Sequence, residues 1–573
     1  MDAPRAAGID GESETKRAPA DSGADALVPV APPATRALPG LSGFEVSILF
    51  VFLVYAALFI YQTSFVIDGV RYFCLFDDEM ISMRYAANLA HYQGLVWNPG
   101  GERVLGFTNL LWVLYMSLFH LLPIPAAKMS LPIQVTGAAF LLATIVCVKK
   151  IAEELFPERR YVGALSMILT GFYGPLVNWS LQGTEVSFLA LMVAISVLLA
   201  LRSLQSDTMP LKLYLVLGAS TLCRLDMAVF AGVLLMSLTV MRPENWKRHL
   251  LIGGSIVFAF LAAQGIFNFA YYGDPLPNTY YLKMTGYPLL PRLKRGLEVT
   301  WGFIFPLLPL IVAVVAVTPA RGRFAGTAIL GAAVLGQVAY SVWVGGDIDE
   351  RRGGANRFVA IAMPLFFVLL AFALTQYASL IRRFFADRLQ LVSALENRAL
   401  ALFVGVALFL PNASSFRVNF LLVKPTEAAR PEPGFTIRMA LFIRSVSDRN
   451  ARIAVVSAGI LPYFADRYAI DLLGKCDAKV AHEEMHRELQ VPPQKEFWPG
   501  HLKWDYAYSI GELKPDLVVQ TWGVAPDTIP ELRMDYAPLI VGGEFLWFAR
   551  RESTHLRGLS TAGDWRGLTF GNP

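Results

Sequence analysis

The run Asp77-Asp78-Glu79 follows directly on a long apolar segment, and acids held at such a border are candidates for proton-transfer chemistry. Adjacent like charges repel, and near lipid each also loses hydration. A carboxylate kept there can take the proton of a hydroxyl, which is the work of a general base. Asp77 and Asp78 are the candidate base and its partner, and the sequence leaves open which is which. The same acids open a helical pattern, where the helix dipole favours them without any function. The other end of a group transfer needs positive charge or hydrogen-bond donors on the leaving group. Lys283, after Tyr280-Tyr281, can meet a phosphate as a point charge, and Arg357 can clamp one with two parallel bonds. The bland alternative is that both only anchor helix ends by snorkelling. Arg224 lies with Asp226 in an apolar stretch, where the two can simply neutralise each other. Glu185 opens another apolar run, again a position that the helix dipole favours.

These residues need elements to position them, and the composition says which kind. The chain has 573 residues, 55% of them hydrophobic and 17% charged. That is too apolar for a soluble protein of this length, and many apolar runs are long enough to cross a bilayer. A net charge of +5 gives no reason to expect nucleic acid as a partner. The four cysteines, Cys74, Cys147, Cys223 and Cys476, have neither metal-ligand spacing nor a disulfide pattern. Residues 1–43 lack apolar periodicity and read as a disordered cytoplasmic tail.

Spans are expected at 44–67, 130–148, 161–177, 184–201, 211–224, 227–241, 249–271, 297–317, 324–344, 357–381 and 396–411, with the apolar run 107–122 left uncrossed. This puts Lys149, Lys150, Arg159, Arg160, Arg202, Lys212, Arg242, Lys247 and Arg248 on one side, which the positive-inside rule makes cytoplasmic. Eleven helices then form a membrane domain over 44–412. Its external loop, 68–129, carries the acids on the opposite, periplasmic side. From 413 to 573 the composition turns to that of an external α/β domain. Its strands are expected near Arg452–Val456, Ala469–Gly474 and Asp516–Gln520, with a closing strand or hairpin over Leu539–Ala549. Within the loop, Ile81, Tyr85, Leu89 and Tyr92 form an apolar stripe at helical spacing, with Ser82, Arg84 and His91 off it.

Several segments carry a family resemblance. Asp77-Asp78-Glu79-Met80-Ile81-Ser82-Met83-Arg84-Tyr85, Gly94-Leu95-Val96-Trp97-Asn98-Pro99-Gly100 and Gly106-Phe107-Thr108-Asn109 resemble a branch of the GT-C glycosyltransferases. Trp179-Ser180-Leu181-Gln182-Gly183-Thr184-Glu185, the Tyr272–Lys283 loop and Gly346-Asp347 with Arg357-Phe358 extend it in order. Within that superfamily they are similar to the mycobacterial terminal arabinofuranosyltransferases and their bacterial relatives. Leu105 and Leu225 depart from that pattern, where an acid and a proline are usual. The resemblance implies a GT-C-like fold of about eleven transmembrane helices, in a bacterial inner membrane. It implies transfer of a monosaccharide, with arabinofuranose one candidate, from a polyprenyl-phosphate donor to a cell-envelope glycan or protein acceptor. Lys283, Arg357 and Arg224 would then hold the donor phosphate. Arg84, Trp97, Asn98, Thr108, Asn109, Trp179, Glu185, Asn278, Tyr280, Tyr281 and Asp347 would hold sugar or acceptor. Aromatic anchoring and loop capping are the ordinary uses of such residues. No metal ligand set is visible, although carboxylates beside a phosphate are compatible with a divalent ion. His501 reads as a surface residue. The alternatives left open are an oligosaccharide ligase using a polyprenyl-diphosphate donor, and a transporter or flippase.

Overall fold

A computed structural model describes residues 40–206, 208–317, 324–347, 350, 356–385, 392–413, 431–486, 498–541 and 544–557. Most of the expected tail lies outside them, as do Arg321, Arg323, Asp349, Arg351 and Arg352. The first helix, Gly43–Gln62, starts where Ser42 and Glu45 cap each other's backbone reciprocally. Its 20 residues span about 30 Å, the thickness of a bilayer core. Apolar side chains such as Phe44, Phe50, Val54 and Leu58 point outward, as lipid contact requires.

Seven helices among the described residues are long and apolar enough to cross a membrane. They are Gly43–Gln62, Ala126–Leu155, Val186–Leu204, Pro243–Tyr272, Leu289–Ala316, Phe324–Val344 and Met363–Ile381. The other four expected spans contain the shorter apolar helices Tyr161–Gly171, Leu211–Cys223, Met227–Met241 and Arg398–Asn412. Leu110–His120, in the run expected not to cross, has 11 residues. That gives it about 16 Å, half of what a crossing needs. It buries Trp112, Val113 and Met116, with Trp112 against Phe140 and Phe188.

The C-terminal region holds a five-stranded sheet in the order Tyr468–Asp471, Arg452–Val455, Leu517–Val518, Glu544–Arg550, Tyr536–Val541. The first three strands are mutually parallel and the last two form an antiparallel hairpin. The expected second strand is shorter at its end, because Leu472–Gly474 turns instead of extending.

The helix Asp77–Ala90 joins the two regions, and here the expected stripe needs correction. Ile81 and Tyr85 are buried as expected, but Ser82 and Arg84 are buried too. Tyr92 lies beyond the helix in a left-handed turn and is exposed. The C-terminal sheet region docks on the face that the periodicity would leave to water, so the helix is covered on nearly every side. All four cysteines are buried thiols that form no disulfide.

Candidate functional site

Helix ends and loops converge on a cavity of about 350 Å³. Asp78, Glu79 and Ser82 reach it from the first turns of the Asp77–Ala90 helix, Thr108 and Asn109 from the following loop. Glu185 enters ahead of the Val186–Leu204 helix, and Arg224-Leu225-Asp226 link Leu211–Cys223 to Met227–Met241. Tyr280 and Lys283 come from the short helix Asn278–Met284, and Asp347 and Arg357 flank the loop after Phe324–Val344. Setting aside the short helices Leu110–His120 and Gly174–Leu181, two apolar helices separate each of these segments from the next, as far as Asp347.

The electrostatics divide into two linked groups. Asp78 Oδ1 lies 2.6 Å from Lys475 Nζ, and its Oδ2 lies 3.7 Å from Arg357. Burial opposes the charge on Asp78, but Lys475 and Arg357 outweigh it and hold the carboxyl well below its usual range. Arg357 Nε also meets Asp347 at 2.7 Å. Among the described residues Lys283 forms no hydrogen bond or ion pair. Burial, partly offset by Asp347, lowers its ammonium to about 8.

The second group is a buried carboxyl pair. Asn109 Nδ2 donates to Glu79 Oε2 at 3.1 Å and to Glu185 Oε2 at 3.2 Å. Arg224 donates to Glu185 Oε1 at 2.8 Å and grips Asp226 through Nε at 3.0 Å and Nη2 at 2.7 Å. Burial and the charge on Glu185 push Glu79 well up. Burial also opposes ionisation of Glu185, yet Arg224 and Arg357 keep it an anion. Of the pair, Glu79 is therefore the member that holds its proton more tightly.

Nine of the sequence-derived candidates line the cavity: Asp78, Lys283, Arg357, Arg224, Thr108, Asn109, Glu185, Tyr280 and Asp347. The others stand elsewhere. Asp77 Oδ1 accepts the backbone N–H of Ile460 at 2.8 Å, so it fastens the C-terminal sheet region. Asn98 pairs with both backbone groups of Ala469, and Asn278 donates to the carbonyl of Gly474 at 3.1 Å. Trp97 is buried beneath Arg84, Trp179 packs on Phe76 and Arg357, and Tyr281 donates to Asp274. Arg84 spends its donors on the carbonyls of Trp97, Pro462 and Arg467 and on Asn98 Oδ1. Arg84→Ala would strand several buried acceptors at the junction, each costing about 1–3 kcal/mol unpaired. A loss of about 3–5 kcal/mol is expected, seen as an earlier thermal transition in detergent. An unchanged transition would show that the junction does not depend on this guanidinium.

Glu79, Lys475 and His501 also line the cavity and were not among the sequence-derived candidates. His501 lines the cavity instead of facing water; burial and nearby Lys475 push its imidazole down to about 3. Glu79 stood in the acid run, where helix-dipole compensation was the bland alternative, and was not singled out. Lys475 lies some 400 residues downstream, so only the fold brings it to Asp78. Among the described residues there is no cluster of three or more His, Cys, Asp or Glu placed to hold a metal ion.

Comparison with known proteins gives a fold. ArnT from Cupriavidus metallidurans in the apo state is similar at a TM-score of 0.52 and 14% identity, over 88% of this chain and 98% of that one. ArnT from the same organism bound to undecaprenyl phosphate gives 0.50 and 12%, over 75% and 86%. The oligosaccharyltransferase of Archaeoglobus fulgidus, tethered with an acceptor peptide, gives 0.47 and 12%, over 88% and 74%. Residues 426–563 match a family model described as a domain of unknown function, DUF8728. No curated protein matches the sequence. At these identities the likeness is one of fold. The chain is a multi-pass helical membrane protein of GT-C-like fold with a C-terminal α/β region, as its residues suggested.

Proposed function

We propose that this protein is a membrane glycosyltransferase that takes a monosaccharide from a polyprenyl-phosphate donor and attaches it to a cell-envelope glycan or protein. The observation that carries the reading is a carboxylate flanked by buried cations in one cavity at the end of a helix bundle. The acceptor hydroxyl attacks the anomeric carbon, and the bond from that carbon to the phosphate oxygen breaks. The electron pair leaves with the lipid phosphate, and the hydroxyl proton passes to Asp78. Lys283 and Arg357 face the phosphate. One carboxylate suffices for an inverting displacement, whereas retention needs a nucleophile on the opposite face of the sugar.

A polyprenyl-phosphate donor is supported by the fold shared with an ArnT that was solved with undecaprenyl phosphate, and by the surplus cation Lys283. The basic residues at the far end of the bundle support a cytoplasmic amino terminus and a periplasmic cavity. The C-terminal α/β region then lies over the periplasmic mouth, with the acceptor arriving from that side. Arabinofuranose is the sugar that the sequence resemblance favours. Mass analysis of envelope glycans from a deletion strain tests the reading. Loss of one monosaccharide from a defined glycan is expected. Unchanged glycans with altered uptake of a solute would instead favour transport.

Lys283 supplies a pH test. Its cation persists below about pH 8 and is lost above, so kcat/KM for the donor should fall on the alkaline side of that value. kcat should keep its level further up, because bound phosphate favours the charged form. Lys283→Arg should remove the alkaline limb of kcat/KM. An identical limb in that variant would assign it to another group.

A further inference from the structure

We propose that Lys475, carried into the cavity by the C-terminal domain, passes between Asp78 and the donor phosphate during transfer and so makes that domain part of the donor site. The proposal rests on the glycosyl-transfer reading above. Its Nζ lies 2.6 Å from Asp78 Oδ1, and Lys475, Lys283 and Arg357 line the same cavity. Its loop is fixed from both sides. Asp471 accepts the N–H of Leu473 at 2.9 Å and that of Cys476 at 2.7 Å, closing the turn that presents Lys475. Asn278 holds the carbonyl of Gly474. Across the turn, a Cβ on Gly106 would stand 2.9 Å from the Lys475 carbonyl oxygen and 2.6 Å from Cys476 Sγ, so the loops meet without room for a side chain. This backbone cannot withdraw without undocking the domain, while the long lysine side chain can swing.

The charge balance gives the swing a purpose. The donor is a phosphodiester with one negative charge, and Asp78 carries another. When the hydroxyl proton reaches Asp78 and the anomeric C–O bond breaks, Asp78 becomes neutral and the lipid phosphate becomes a dianion. The total charge is unchanged, but one unit has moved from carboxylate to phosphate. A cation touching Asp78 in the resting state is left without a partner at that moment, beside a newly doubled charge. Arg224 cannot follow in this way, since Glu185 and Asp226 hold it. Release of Lys475 toward the phosphate also frees Asp78 to become a better base.

The test uses the full chain in nanodiscs, with Lys475→Ala, Lys475→Gln and Lys475→Arg. It measures transfer from a polyprenyl-phosphate sugar and binding of a short-chain polyprenyl phosphate, the dianionic product. The alanine and glutamine variants should lose about 10²-fold in kcat and bind polyprenyl phosphate at least about tenfold more weakly, while arginine restores part of both. The glutamine variant keeps a donor for Asp78, so it reports charge even if alanine misfolds. Folded alanine or glutamine variants with wild-type turnover and product affinity would overturn the proposal, and leave the transfer reading intact if Asp78→Asn is inactive. A wild-type protein that neither transfers sugar nor binds polyprenyl phosphate would overturn both.

Discussion

Asp78→Asn is expected to cut sugar transfer by about 10²–10⁴-fold, the usual contribution of a positioned general base, in a protein that still folds. The amide keeps the shape and one acceptor oxygen for Lys475 but cannot take the proton. Asp77→Asn is the matched control, because its retained Oδ1 can still accept the Ile460 N–H that Asp77 now holds. Turnover of the two variants, measured side by side, separates a base from its neighbour; equal losses would contradict the assignment. The acid side of the pH profile sharpens the point. The folded Asp78 carboxyl sits well below its unfolded value. Its ion pairs therefore stabilise the protein above the ordinary carboxylate range and fail only as pH falls through that depressed value. Any loss of kcat/KM between about pH 7 and pH 5 belongs to another group, because that ratio reports the free enzyme.

Arg224→Ala should lower stability by about 3–5 kcal/mol, as much as Arg84→Ala, by leaving buried carboxylates without their counter-charge. Glu185 is 1% exposed, and Arg224 is hydrogen-bonded to it and to Asp226. With the guanidinium gone, Glu185 must take up a proton or the site must open to water. The transition temperature in detergent should fall and become more sensitive to alkaline pH, since deprotonation then exposes the uncompensated charge. Arg224→Lys should recover only part, because an ammonium cannot reproduce the two-pronged grip on Asp226. A transition unchanged from wild type would show that the pair is not held in this way.

The sequence made the cavity's framework legible for a specific reason. Asp78, Glu185, Arg224, Asp347 and Arg357 each lie near an apolar run, and the basic residues expected at the far end of those runs pointed to one shared end for them. Composition marked the C-terminal sheet for the same kind of reason, with short β-branched runs separated by turns. What stayed hidden depended on one region touching another. Arg84, Asn98 and Asn278 look like ligand-binding groups because polar side chains beside a candidate site invite that reading. They are spent on backbone groups of the C-terminal region, and nothing local announces a docking face. Lys475 was hidden for the converse reason, as an unremarkable lysine after a predicted strand until the fold sets it against Asp78. Glu79 was visible but ambiguous, since the helix dipole explains an acid there as well as chemistry does.

The central claim is that the acid at residue 78 and the cations around it transfer a lipid-borne sugar. The most direct measurement reconstitutes the purified chain in vesicles with a panel of polyprenyl-phosphate monosaccharides and a cell-envelope glycan extract, and follows release of polyprenyl phosphate. The account predicts that one donor is consumed with matching gain of sugar on the acceptor, and that Asp78→Asn abolishes both signals. Consumption that continues undiminished in the Asp78→Asn protein, or a folded wild type that leaves every donor untouched, would contradict it.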